Sequence, residues 1–134
     1  MPIYLFKYMQ VEHNYNSLVE LKHRDVFPTK NITNDEALRW MRNNEVPKQD
    51  ITISAFGNSY RKCYCFMKYM ESEFWGKFTA YVQSAVDNGH FAKDAMTLYL
   101  DRFDIYETEL KMETAKKRWG RRQKMIEKKN IMYY

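Results

Sequence analysis

Apolar and polar positions alternate in blocks along the chain, and the blocks differ in period. "PIYLFKYMQV" is dense in aromatic and β-branched residues, which predicts a strand from Ile3 to Val11. "HNYN" supplies turn residues, and "SLVELKH" sets Leu18, Glu20 and Lys22 against Val19, Leu21 and His23, completing a first hairpin. "TNDE" at Thr33–Glu36 has capping-box spacing, so a helix is expected to start there. It would bury Leu38 and Met41, with Ala37 or Trp40, and stop near Asn44 ahead of Pro47.

"ITISAFGNSYRKCYCFMKYM" reads as a second hairpin. Ile51, Ile53 and Ala55 share a face, Gly57-Asn58 makes the tight turn, and the return strand runs from Ser59 to Met67. Phe74, Phe78 and Val82, with Trp75 and Val86 nearby, then follow helical spacing up to a stop at Gly89. The last predicted element is a single long helix from Ala92 to Lys129. It carries one stripe through Met96, Tyr99, Phe103, Tyr106 and Leu110, and a second, seven-residue seam through Leu98, Ile105, Met112, Trp119 and Ile126. The expected fold is therefore α+β: two β-hairpins with helices in the order β-β-α-β-β-α-α. The long C-terminal helix would project from the body.

Charge changes this picture at one end. Residues 116–129 carry eight cations, Lys116, Lys117, Arg118, Arg121, Arg122, Lys124, Lys128 and Lys129, against Glu127 alone. That is a net +7, which leaves −2 for the remainder of a chain whose formal total is +5. Extended along its own face, the first stripe meets Lys117, Arg121, Lys124 and Lys128. Four cations on one line cannot stay buried, because each unpaired buried charge costs several kcal/mol. A compact body over residues 1–113 and a basic helical extension over 114–134 follow from this. Gly120 permits a second reading, in which the helix ends there and the cations merely satisfy its dipole.

Size and composition bound the rest. A chain of 134 residues with 45% hydrophobic content can bury a core without metal or disulfide support. Two cysteines and no secretory signal or apolar run of membrane-spanning length lead us to expect a soluble, cytoplasmic protein. Lys- and Arg-dense helices suit phosphate backbones. Arg118, Arg121 and Arg122 can grip phosphates or guanine edges, and Trp119 can stack on an unpaired base or continue the seven-residue seam. Eight cations and Trp119 thus form the candidate nucleic-acid contact, to DNA or RNA.

A different class of function starts from the seam. Leu98, Ile105, Met112, Trp119 and Ile126 would bind another protein or a second copy of the chain, as an inhibitor, adaptor or assembly component. The basic segment would then meet an acidic surface or one that normally holds nucleic acid. The Lys-, Asn-, Tyr- and Met-rich composition is compatible with a viral or mobile-element origin. A membrane-surface helix is a weaker fit, since the apolar side of 115–129 is thin.

Catalytic signals are few. His13, His23 and His90 form no i, i+4 metal pair, although His13, His23 and Asp25 together could hold a metal in a nuclease. Cys63 and Cys65 lack further ligand partners for zinc. Tyr60, Tyr64 and Phe66, with Arg61 and Lys62, could form a stacking platform on a strand. No catalytic residue, metal or cofactor is expected, and the chain reads as a non-enzymatic binding protein.

Overall fold

The computed structural model describes residues 2–13, 32–44 and 59–132, and of residues 126–132 the backbone alone. Every regular element among the described residues is an α-helix. They are α1 (Ile3–Glu12), α2 (Asn34–Asn43), α3 (Tyr60–Asp87), α4 (Ala92–Arg102) and α5 (Met112–Met132). The expected α+β fold is overturned: the strand placed at 3–11 is helical throughout, and the one placed at 59–67 is helical from Tyr60 on. Residues 14–31 and 45–58, where the rest of both hairpins was expected, lie outside the described residues. The chain divides into two compact units, Met1–Glu73 and Phe74–Tyr134.

In the first unit, α1 is a helix because its apolar residues recur at helical spacing. Leu5, Tyr8 and Met9 are buried, while Ile3 and Val11 face outward. The Pro2 carbonyl accepts from both Leu5 N and Phe6 N and starts the first turn. β-Branched and aromatic content had favoured a strand, but such propensity is weaker than the packing of a continuous stripe. α2 begins as its sequence requires: Thr33 Oγ1 accepts from Glu36 N at 3.2 Å. Ala37 and Met41 are its buried residues, and Leu38 is half-buried.

The start of α3 is closed by side chains from two places. Asn34 Oδ1, at the start of α2, accepts from Arg61 N, and Ser59 Oγ accepts from Lys62 N. Two of the four orphan donors of a helix N-terminus are thereby satisfied. Cys63, Cys65, Phe66 and Met67 are all buried, so this turn of helix is enclosed on more than one side. An apolar run enclosed all round shows no polar face, and helix and strand then look alike in sequence. Met9, Met41, Cys63, Cys65, Phe66 and Met70 make the core, with Trp40 and Tyr64 edge to face at its margin, 5.0 Å between centroids.

The second unit is built on rings. Phe74 meets Trp75 and Tyr99 edge to face at 4.9 and 5.4 Å. Tyr99 in turn meets Phe78 and Phe103 at 5.4 and 5.1 Å. The Tyr99 hydroxyl donates to the Phe74 carbonyl at 2.9 Å, so its polar atom is satisfied inside the core. Gly89 ends α3 as expected: its φ of +85° lets His90 N reach back to the Ala85 carbonyl.

The single helix expected over 92–129 is two helices, α4 and α5, joined by a non-helical segment, 103–111. Asp104 adopts φ 56°, and Ile105 N returns to the Leu100 carbonyl, which closes α4. Carboxylates organise the turn that follows. Glu109 accepts from Tyr106 N at 2.9 Å, and Glu107 accepts from Met112 N at 3.0 Å at the start of α5. α5 then continues through Gly120, so the reading that ended the helix there is also corrected.

Candidate nucleic-acid interface

α5 does not project as a bare arm. Ala115 is fully buried, and Met112, Trp119 and Gln123 on the same side are half-buried. Gln123 Nε2 donates to Gln83 Oε1 at 2.9 Å, and the Arg118 guanidinium lies 5.0 Å from the Trp75 ring centre. Both contacts join α5 to the second half of α3, so this helix is seated along one side. The expectation of a projecting helix is corrected accordingly.

The eight cations fall into distinct environments. Lys117, Arg121 and Lys124 are exposed and recur at i, i+4 and i+7, opposite to Ala115. Lys117 also pairs loosely with Glu113 at 3.5 Å, an exposed i, i+4 contact of little energetic weight. Lys116 is exposed on one flank of the helix and Arg122 on the other. Arg118 is half-buried and held over Trp75, a cation–π contact worth about 0.5–2 kcal/mol according to desolvation. The side chains of Lys128 and Lys129 lie outside the described residues.

The seven-residue seam is not one surface. Leu98 is exposed on α4, at 60%, whereas Ile105 is buried in the 103–111 segment. Met112 and Trp119 lie half-buried on α5, and the side chain of Ile126 is outside the described residues. A seam drawn on one continuous helix is broken where that helix is broken. Tyr106, placed on the first stripe, is exposed, while Met96, Tyr99, Phe103 and Leu110 from the same stripe are buried.

The other candidates change character on a helix. Phe66 is fully buried and Tyr60 and Tyr64 pack against the core, so no strand-borne stacking platform exists there. Cys63 and Cys65 are buried free thiols. No cluster of three or more metal-ligating side chains occurs among the described residues, and His23 and Asp25 lie outside them. His90 is exposed.

His13 has a partner that no motif announced. Its Nε2 lies 2.6 Å from Glu73 Oε1, and the buried Tyr8 hydroxyl donates to the same oxygen at 2.7 Å. Residues 60 positions apart meet here, and linear spacing leaves no trace of such a pair. The arrangement ties α1 and its C-cap residue to α3 through one carboxylate. A shared carboxylate that orients an imidazole is also a building block of acid–base sites, though here its visible work is structural.

Two further contacts carry no signal in the sequence pattern. Trp75 holds Arg118, and Arg122 walls a surface notch of about 160 Å³ with Gly76, Thr79, Ala80 and Gln83. No helix among the described residues is long and apolar enough to cross a membrane. Comparison with protein-family models, with curated proteins and with solved structures finds no match for this chain.

Proposed function

We propose that the protein binds nucleic acid, without catalysis of its own, through the outward face of α5. One observation carries this reading. Lys117, Arg121 and Lys124 form an exposed line on a helix whose opposite side is buried at Ala115 and anchored at Gln123. At 1.5 Å per residue the line spans roughly 10 Å, and Lys128 extends it by sequence. Seating the helix removes part of the entropy that a free basic tail would lose on binding. Phosphates neutralised by such a row release condensed counterions, so affinity should fall steeply with salt. Lys116, Arg118 and Arg122 add to the field around the line, and Lys129 adds its charge by sequence alone.

The test is a binding titration at several salt concentrations with Lys117→Glu/Arg121→Glu/Lys124→Glu. The variant should lose binding at moderate salt, and its salt slope should shrink by roughly 0.9 for each phosphate that is no longer neutralised. Unchanged affinity in a folded variant would reject the reading. Deleting residues 114–134 is a poor substitute, because it would strip Ala115 and Gln123 from their packing sites as well.

The protein-binding alternative keeps one foothold. Phe91 and Leu98, at 79% and 60% exposed, stand seven residues apart and so share a side of α4 and its N-cap. A pull-down that depends on these two side chains, with no nucleic acid bound, would favour it.

A further inference from the structure

The notch beside Arg122 deepens the reading above and rests on it. Its α3 wall is Gly76, Thr79, Ala80 and Gln83, at i, i+3, i+4 and i+7, which is one line along the helix. Three of these four side chains are small, and the gap between α3 and α5 is open for that reason. The polar groups on this wall are already engaged. Thr79 Oγ1 donates to the Gly76 carbonyl, and Gln83 donates to Asp87 while accepting from Gln123. Arg122 is the one charged side chain among the lining residues.

Size selects the occupant. At about 160 Å³ the notch is well below the roughly 300–1,000 Å³ of sites for cofactors and drug-sized ligands. An enclosed apolar cavity of about 150 Å³ holds a benzene-sized ring, so this notch, open to solvent on one side, has room for a single flat ring. Charge selects it further. Arg118 precedes Arg122 by one turn on the same flank of α5, and Arg121 is the member of the outward line nearest that flank. A flat ring entering here would have its attached anion beside the Arg122 guanidinium, whose plane can also stack on the ring.

We propose that this notch receives one unstacked nucleobase of a single strand whose phosphates follow Arg121, Lys117 and Lys124. A base inside a duplex is stacked and paired and cannot enter without being extruded. The protein therefore discriminates single strands from duplexes, with Arg122 and the small residues of α3 as the discriminating wall.

The experiment compares three labelled ligands by fluorescence anisotropy: a thymidine oligonucleotide, the same strand with abasic sites, and a duplex of equal length. The wild-type protein should bind the intact single strand about tenfold more tightly than the abasic strand, the scale of one stacked base. Ala80→Leu and Gly76→Leu fill the notch from two positions. A side chain at Gly76 enters open space, since a Cβ there meets nothing within 4 Å. Both variants should bind the intact strand as weakly as the abasic one, with duplex affinity unchanged. Equal wild-type affinity for intact and abasic strands overturns the notch proposal, as does a preference that survives in folded leucine variants. In either case, binding abolished by charge reversal on α5 would leave the wider nucleic-acid reading standing. Absence of binding to all three ligands, and to a uridine RNA strand of the same length, would remove both.

Discussion

One helix, α3, supplies both units of this protein, and the two cores use different side chains. The first, around Met9, Met41, Cys63, Cys65, Phe66 and Met70, is filled mainly by sulfur-bearing residues. The second is a cluster of rings, Phe74, Trp75, Phe78, Tyr99 and Phe103, in edge-to-face or tilted contact. Unbranched thioethers fill irregular gaps and tolerate exchange, whereas ring pairs are favourable over a narrow range of geometries. The unit that seats the basic helix is thus the one whose packing is more directional. Polar atoms follow the same division: the second core encloses its Tyr99 hydroxyl, while the first gathers Tyr8 and His13 on the part-exposed Glu73.

The contrast can be broken most severely at Phe74. Phe74→Ala should cost about 3–5 kcal/mol in urea unfolding, because the surrounding rings cannot collapse into the space. A loss under about 2 kcal/mol would show that the ring cluster relaxes as readily as the methionine core. Next in size is Tyr8→Phe, which removes one donor from Glu73 and should cost about 2 kcal/mol, the range for bonds to charged groups. If melting is unmoved, the carboxylate cluster is not what ties α1 to α3. Met70→Leu tests the adaptable core and should cost at most about 1.5 kcal/mol, a limit that Phe74→Leu should exceed. Equal costs at the two positions would erase the distinction.

The smallest effect has the opposite sign. Gly120 lies inside α5, and a Cβ there meets nothing within 4 Å. Gly120→Ala should therefore stabilise the second unit by about 1 kcal/mol, read as a higher melting temperature. Nucleic-acid affinity should be unchanged or slightly raised, since the alanine touches neither the outward line nor the notch. A destabilised variant would mean that α5 is not helical through this position.

Legibility in the sequence followed the locality of the interaction. The start of α2 could be read because the Thr33 cap spans three residues, and the end of α3 because Gly89 marks its own backbone conformation. The outward line Lys117–Arg121–Lys124 was legible for a similar reason: burying unpaired charge is so costly that its helical period predicts exposure. α1 reads as a strand although Leu5, Tyr8 and Met9 carry the helical spacing, because its β-branched and aromatic content masks that period. The break after Arg102 had no glycine or proline to announce it. It depends on Asp104 at positive φ and on Glu107 and Glu109 accepting from backbone N–H groups in the turn.

By itself, the sequence determined where the charge is concentrated, which line of α5 must face solvent, and where the locally capped helix ends lie. Each depends on groups a few residues apart, or on a desolvation cost that needs no partner to be felt. Only the tertiary structure decided that α5 is seated rather than free, that Arg118 meets Trp75, that Gln123 meets Gln83, and that Arg122 closes a notch over Gly76 and Ala80. It also brought His13 and Tyr8 to Glu73. These partners are some 40 to 65 residues apart, and polar or single-ring contacts at such separations impose no period on the chain. They form where helices pack, and the helices pack to bury the apolar stripes.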